Sequence, residues 1–222
     1  MGVVQALTDL VLPRECGGCA APGTLWCPRC RAELSGDPVP ISPRVDSGTR
    51  AWAIGGYSGA RRAAVIAAKE RGRRDLARPL GEALALALTR LRDLGEIDPA
   101  ELALLTLVAA PTRARAARSR GGDPVARAVG VAARVLAPES VRVDPLLKYA
   151  RGVRDSVGLS ARARVENLAG GILVGPTEGT GRSDCVVLID DVLTTGATAA
   201  ESVRALAGRG VRVDAVLVIA AA

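Results

Sequence analysis

From about residue 50 onward, apolar stretches of two kinds alternate along the chain. Continuous apolar runs over 102–111, 185–189 and 211–220 predict buried strands, and a shorter run over 51–57 precedes the first helical stretch. Apolar residues at helical spacing predict helices over 60–72, 76–94, 124–136, 160–169 and 198–207. Strands that alternate with helices pair in parallel, so the pattern predicts an α/β fold with a parallel sheet flanked by helices.

The region before residue 50 has a different character. Residues 35–49 are rich in Pro, Gly and Ser, which indicates a linker. This division predicts a small N-terminal module over residues 1–34 and a main domain over residues 50–222.

Composition narrows the functional classes. The chain of 222 residues has no histidine, which excludes Ser-His-Asp and Cys-His nucleophiles and histidine metal ligands. With 49% hydrophobic and 24% charged residues, wholesale disorder is not expected. The sequence shows neither a transmembrane run nor the features of a signal peptide, so we predict a cytoplasmic protein without membrane insertion.

The chain is basic, with a formal net charge of +7. Such a charge favours polyanionic partners, either nucleic acid or phosphorylated small molecules. Arginines scattered over a solvated surface would give the same value. The 30 basic residues include two lysines, Lys69 and Lys148, and the rest are arginines. A compositional bias of the whole chain towards arginine therefore explains part of the positive charge without a functional role.

Four cysteines form two C-x-x-C pairs, Cys16 with Cys19 and Cys27 with Cys30. Each short turn can place two thiolates on one side of a tetrahedral ion, which predicts a structural zinc site. Two disulfides or redox dithiols are the competing interpretations, and a cytoplasmic location argues against disulfides. Cys185 stands alone in an apolar run and is expected to be a small buried residue.

The most specific motif begins with the strand at 185–189 and continues into a helix. Two carboxylates, a Thr/Gly turn and the helix start follow in order: Asp190, Asp191, Thr194, Thr195, Gly196, Ala197 and Thr198. Ligands of open α/β sheets bind beyond the carboxyl ends of strands, where a helix N-terminus presents unpaired N–H groups. The threonine hydroxyls can add donors for a phosphate, and the acidic pair can accept hydrogen bonds from ribose hydroxyls. A solvated loop with a helix cap is the structural alternative.

This segment resembles the phosphoribosyl pyrophosphate signature of type I phosphoribosyltransferases. That resemblance implies a Rossmann-like core, in which the acidic pair contacts the ribose and the Thr/Gly loop holds the 5-phosphate. The chain also resembles the competence-related ComF family over essentially its whole length. The features that carry this resemblance are, in chain order, the four-cysteine module, Tyr57-Ser58-Gly59, Lys69, Arg120-Gly121-Gly122 and Arg164 to Asn167. The chain departs from the family at Val108–Pro111 and at Asp155–Ser160.

Basic side chains are candidates for the rest of the ligand site. The resemblance implies that the arginine-rich loop after the strand at 102–111, with Arg113 and Arg120, holds pyrophosphate. A nucleic-acid patch and a solvated loop are the alternatives. Lys69 is either a site residue or a charge at the end of an exposed helix.

Three functions are compatible with these features. The first is phosphoribosyl transfer from phosphoribosyl pyrophosphate with Mg²⁺ to an acceptor that the sequence does not identify. The second is a role in DNA uptake or recombination, with binding of single-stranded DNA and a non-catalytic or regulatory pocket. The third is a sensor that binds phosphoribosyl pyrophosphate without turnover.

Overall fold

A computed structural model describes residues 14–113, 122–150, 167–177 and 184–222. The helices with both ends in these ranges are α1 (Pro28–Glu33), α2 (Gly59–Glu70), α3 (Ala77–Asp93), α4 (Pro124–Val135) and α5 (Ala197–Ala207). A 3₁₀ turn, Arg74–Leu76, leads into α3. The strands are β1 (Val39–Ile41), β2 (Ala51–Ala53), β3 (Leu105–Ala109), β4 (Val141–Val143), β5 (Leu147–Tyr149), β6 (Ile172–Val174), β7 (Cys185–Leu193) and β8 (Ala215–Ala221).

The described strands form one large sheet and one small sheet. The large sheet has six strands in the order β1-β2-β8-β7-β3-β4. All of its neighbours pair in parallel except β1, which lies antiparallel to β2 at the edge. The small sheet is the antiparallel pair of β5 and β6. The prediction of an α/β fold with a mainly parallel sheet flanked by helices is confirmed.

Helices cover both faces of the large sheet, which explains why its central strands are apolar without interruption. On one face, Val187 and Ile189 of β7 pack in a core with α2, α3 and α4. On the other face, Val186 and Leu188 pack with α5 and the small sheet. Successive residues of a strand alternate between faces, so β7 contributes to both cores.

Local sequence explains where two of the helices sit. Asp123 caps α4, since its carboxylate accepts hydrogen bonds from the N–H groups of Val125 and Ala126, and Pro124 fills the first position. Gly81 lets α3 approach α4 closely, because a Cβ atom there would lie 2.5 Å from Val131. The sequence prediction of a helix that starts at residue 124 is confirmed.

Several element boundaries differ from the sequence prediction. Strand β7 continues to Leu193, so the acidic pair lies within the strand and not beyond it. Within the segment read as a linker, Val39–Ile41 forms the edge strand β1. Most of the helix expected over 160–169 lies outside the described residues. Within the described ranges, no helix combines the length and the apolar character needed to cross a membrane.

Candidate functional site

The four N-terminal cysteines come together at the start of the described chain. Cys27 caps α1 and Cys30 lies in its first turn, while Cys16 and Cys19 belong to the preceding turn. Their sulfur atoms all lie within 4.8 Å of one another, and the Sγ atoms of Cys19 and Cys27 are 3.6 Å apart. This geometry means that the four cysteines could hold a metal ion such as zinc.

The backbone around the cysteines is shaped for close approach of the sulfur atoms. A Cβ atom on Gly18 would lie 2.6 Å from the Sγ atom of Cys30, so this position has room for glycine alone. The N–H groups of Cys27 and Cys30 donate to the Sγ atoms of Cys16 and Cys27, at 3.4 and 3.5 Å. Such N–H···S bonds favour the thiolate form that a metal requires.

The protonation of the cluster is uneven. Burial acts to raise the pKa of Cys16, but N–H groups from Cys19, Cys27 and Gly18 outweigh it and lower that pKa to about 6. Burial, followed by the neighbouring thiols, raises the pKa of Cys30. The five cysteines form no disulfide, and Cys185 is fully buried in β7, as predicted for a small hydrophobic residue.

The cysteine cluster packs directly on the main core. Cys16 and Cys30 belong to the same buried cluster as α2 and α3. The Glu33 carboxylate accepts a hydrogen bond of 2.9 Å from the N–H of Ala60, and the Glu33 carbonyl accepts one of 2.6 Å from Arg61. The N-terminal cluster is therefore anchored to the start of α2.

A second candidate site lies where β7 meets α5. A cavity of about 100 Å³ is lined by Asp190, by Leu168 and by the segment Val192–Ala199. Asp190 is the one carboxylate among the described residues that line it. All of the predicted loop residues, Thr194 to Thr198, contribute to its wall.

The acidic pair is divided between the two faces of the sheet. Asp190 faces the cavity beneath α5, while Asp191 faces α2 on the opposite side. Asp191 is 5% exposed, and its carboxylate lies 2.7–2.8 Å from the Nζ atom of Lys69. The structure thus places Lys69, singled out from the sequence, as the partner of Asp191.

Asp190 is a perturbed carboxyl group. Burial, followed by the charge of Asp191, raises its pKa to about 8, although Lys69 acts in the opposite direction. Its Oδ1 atom accepts a hydrogen bond of 2.8 Å from the N–H of Asp191. A strongly shifted acid in a cavity is a feature of functional sites.

The Thr/Gly loop has a constrained backbone. Gly196 adopts a φ of 87°, in the left-handed region, and caps α5. A Cβ atom there would lie 2.6 Å from both Pro43 and the carbonyl oxygen of Val45. The N–H of Val45 also donates to the Thr195 carbonyl at 2.9 Å, so the segment after β1 supports the loop. Sequence reasoning missed this support because the contacts are distant in the chain.

Tyr149, at the end of β5, was also missed. Its hydroxyl group hydrogen-bonds to the side chain of Thr198, and the Arg113 guanidinium lies 5.5 Å from the centre of its ring. Burial is the main cause that raises the pKa of Tyr149, and Asp190 adds to it. The signal in the sequence was scarcity: the chain has two Tyr, two Trp and no Phe.

Three of the predicted site residues, Asp190, Thr198 and Arg113, therefore lie near Tyr149. A fourth, Lys69, forms an ion pair with Asp191, the residue next to Asp190. Among the other features predicted from the sequence, Arg120 and the segment Asp155–Ser160 lie outside the described residues. The segment Val108–Pro111 comprises the last two residues of β3 and the two residues that follow it.

Comparison of the chain with protein-family models gives no match, and comparison with curated proteins gives none either.

Proposed function

We propose that the cavity between β7 and α5 binds phosphoribosyl pyrophosphate together with Mg²⁺. The observation that carries this proposal is the meeting of Asp190 with the Thr194–Thr198 loop around one small cavity. The Asp190 carboxylate can accept hydrogen bonds from ribose hydroxyls, and the Thr194–Thr198 loop can donate to a 5-phosphate. A single ribose 5-phosphate group can therefore bind to both parts of the cavity wall.

The start of α5 supplies the phosphate contacts in this proposal. The first N–H groups of a helix have no acceptor within the helix, and the helix dipole adds positive potential there. Gly196 and Ala197 line the cavity at the start of this helix, and Thr198 adds a hydroxyl group. No acidic side chain other than Asp190 lines the described part of the cavity.

The two carboxylates have different tasks in the proposed site. Asp190 accepts hydrogen bonds from the ribose hydroxyls. Asp191 is already held by Lys69, and its backbone N–H donates to Asp190. Asp191 and Lys69 therefore orient Asp190, and they do not contact the sugar themselves.

The pyrophosphate end of the ligand requires positive charge beside the cavity. Arg113 follows β3, which lies parallel to β7 in the sheet. The residues after β3 and the residues after β7 therefore leave the sheet at the same end. Mg²⁺ would accompany the pyrophosphate and neutralise part of its charge, and Asp190 is the lining carboxylate that suits such a hard cation.

Phosphoribosyl transfer is the reaction that follows from the resemblance to the type I enzymes and the ComF family. A nucleophilic acceptor forms a bond to ribose C1 as the C1–O bond to pyrophosphate breaks, and pyrophosphate leaves with that electron pair. Such a step depends on positioning and on stabilising the leaving anion. A chain without histidine can supply both.

We also propose that the four N-terminal cysteines hold one structural Zn²⁺. Four thiolates close a tetrahedral shell and leave no position for a substrate. The closeness of the four sulfur atoms, all within 4.8 Å of one another, supports this assignment.

Calorimetry with phosphoribosyl pyrophosphate and Mg²⁺ tests the ligand. At about pH 9, above the pKa of about 8 of Asp190, we expect binding to the wild-type protein and a loss on the order of tenfold or more in Asp190→Asn, because a charge-assisted hydrogen bond contributes about 1.5–3 kcal/mol. Asp37→Asn is the matched control, because Asp37 is an exposed carboxylate far from Asp190 in the sequence and does not line the cavity. Equal binding by the wild-type and Asp190→Asn proteins would reject the pocket and favour the DNA-handling function.

A pyrophosphate-release screen across purines, pyrimidines and orotate then tests turnover. Release that depends on one acceptor would establish transfer. Tight binding without release for any acceptor would favour the sensor function.

A further inference from the structure

Tyr149 connects two parts of the proposed site that are separate in the sequence. Its hydroxyl group meets the side chain of Thr198, which lines the cavity at the start of α5. Its ring lies beneath the guanidinium of Arg113, 5.5 Å from the ring centre, on the segment that follows β3. Tyr149 thus contacts both Thr198, at the start of α5, and Arg113, the residue proposed to bind pyrophosphate.

The position of Tyr149 is fixed by the small sheet. Tyr149 pairs with Ile172 across β5 and β6, and the N–H of Ala150 donates to the Gly171 carbonyl at 2.9 Å. The neighbouring Gly170 N–H donates to the Glu201 carboxylate of α5 at 2.8 Å. Strand β5 is therefore connected, through β6 and Gly170, to α5, the helix that follows the Thr/Gly loop.

We propose that Tyr149 is a positioning residue that makes the site selective for phosphoribosyl pyrophosphate over ribose 5-phosphate. This inference rests on the proposed function. The hydroxyl group orients the Thr198 hydroxyl towards the 5-phosphate, and the ring face holds Arg113 towards the group on ribose C1.

The ring matters because arginine has a long and flexible side chain. A cation over an aromatic face is attracted by the ring electrons, and that contact reduces the number of conformations that the guanidinium samples. Removal of the ring takes away this restraint, so the guanidinium loses more freedom when the ligand binds. The cost falls on a ligand with a charged group at C1, and ribose 5-phosphate does not have one.

Two substitutions separate the hydroxyl group from the ring. Tyr149→Phe keeps the ring and removes the contact with Thr198, so we expect both ligands to bind roughly threefold to tenfold more weakly, with an unchanged ratio. Tyr149→Leu removes both contacts. We expect it to reduce the preference for phosphoribosyl pyrophosphate over ribose 5-phosphate by roughly tenfold.

Calorimetry with each ligand and Mg²⁺ measures the ratio of the two dissociation constants. Lys148→Gln is the matched control, since it changes the adjacent exposed residue of β5 and leaves Tyr149 in place. A double-mutant cycle with Arg113→Met adds a readout that a general loss of stability would not move. In the Arg113→Met background, Tyr149→Leu should leave the ratio unchanged.

The outcomes separate the two proposals. If the wild-type protein binds neither ligand, the proposed function fails, and this inference fails with it. If the wild-type protein prefers phosphoribosyl pyrophosphate and Tyr149→Leu retains that ratio, only the role of Tyr149 is overturned. Equal changes from Tyr149→Leu in the two Arg113 backgrounds would also overturn it.

Discussion

At the scale of single residues, the two adjacent aspartates behave differently because a strand sends them to opposite faces. Asp191 is compensated by Lys69, whereas Asp190 remains as the carboxyl group that faces the cavity. In the absence of a ligand, ionisation of the Asp190 carboxyl group at the cavity is unfavourable. Such unfavourable groups are typical of functional sites.

The raised pKa of Asp190 predicts a pH dependence of stability. Its pKa rises from an ordinary value near 4 in the unfolded chain to about 8 in the folded protein. The folded state then binds the proton more tightly, so this group lowers the free energy of unfolding progressively between about pH 4 and pH 8. We expect Asp190→Asn to be more stable than the wild-type protein at pH 8.5, by on the order of 1 kcal/mol or more, with little difference at pH 4.

Denaturant unfolding at the two pH values measures this effect, with Asp37→Asn again as the control. The same substitution should weaken binding of phosphoribosyl pyrophosphate. A wild-type protein whose stability relative to Asp190→Asn does not change with pH would contradict the prediction.

The pair of Lys69 and Asp191 predicts a strong coupling between two residues 122 positions apart. Lys69→Met leaves the buried Asp191 carboxylate without its cation, and we expect a loss of about 1–3 kcal/mol in the free energy of unfolding. Asp191→Asn in the same background removes the uncompensated charge, so the double variant should recover part of that loss. Additive losses in a denaturant-unfolding cycle would show that the ion pair makes no net contribution.

Much of the site could be predicted from the residues alone. The order of strand, acids, turn and helix places Asp190 next to the start of α5, since these contacts are local in the sequence. The partners from elsewhere could not be predicted. Pro43, Val45 and Tyr149 reach the site through the path of the edge strand and the small sheet, and periodicity in one sequence holds no information on such paths.

At the scale of elements, the loop between β7 and α5 depends on a single glycine. Gly196→Ala introduces a Cβ atom 2.6 Å from Pro43 and from the backbone of Val45, at a φ of 87°. We expect a loss of stability of about 1–3 kcal/mol and a loss of phosphoribosyl pyrophosphate binding, because the loop must move. Thermal unfolding and calorimetry measure the two effects.

Gly210 provides a matched control for this substitution. It also has a positive φ, of 79°, but a Cβ atom there would have no heavy atom within 4 Å. Gly210→Ala should cost about 1 kcal/mol from the backbone conformation and leave ligand binding intact. If the two alanine variants bind the ligand equally well, the close contact at Gly196 has no bearing on the pocket.

At the scale of the whole molecule, the cysteine cluster and the sheet share one core. Cys16 and Cys30 pack in the same buried cluster as Leu84 and Ile189. A metal bound by these cysteines would stabilise that core directly, because binding to the folded state alone shifts the folding equilibrium.

We therefore expect one zinc per chain in protein purified without added metal, and a lower melting temperature after chelation. Cys16→Ser should have the same effect, since it removes a ligand from a shell of four. Cys185→Ser, at a buried cysteine outside the cluster, should retain the metal. Metal analysis decides the point, and substoichiometric zinc with four freely titrating thiols would contradict it.

The segment after α1 has a consequence for regulation. It runs from the cysteine cluster through β1 to Pro43 and Val45, which support the loop at Gly196. Removal of the metal should therefore loosen that support and weaken the binding of phosphoribosyl pyrophosphate. Because coupling between two binding sites is reciprocal, the ligand must then tighten metal retention by the same factor. A chelator titration with and without phosphoribosyl pyrophosphate would measure this factor, and identical metal affinities would show that the two ends of the segment act independently.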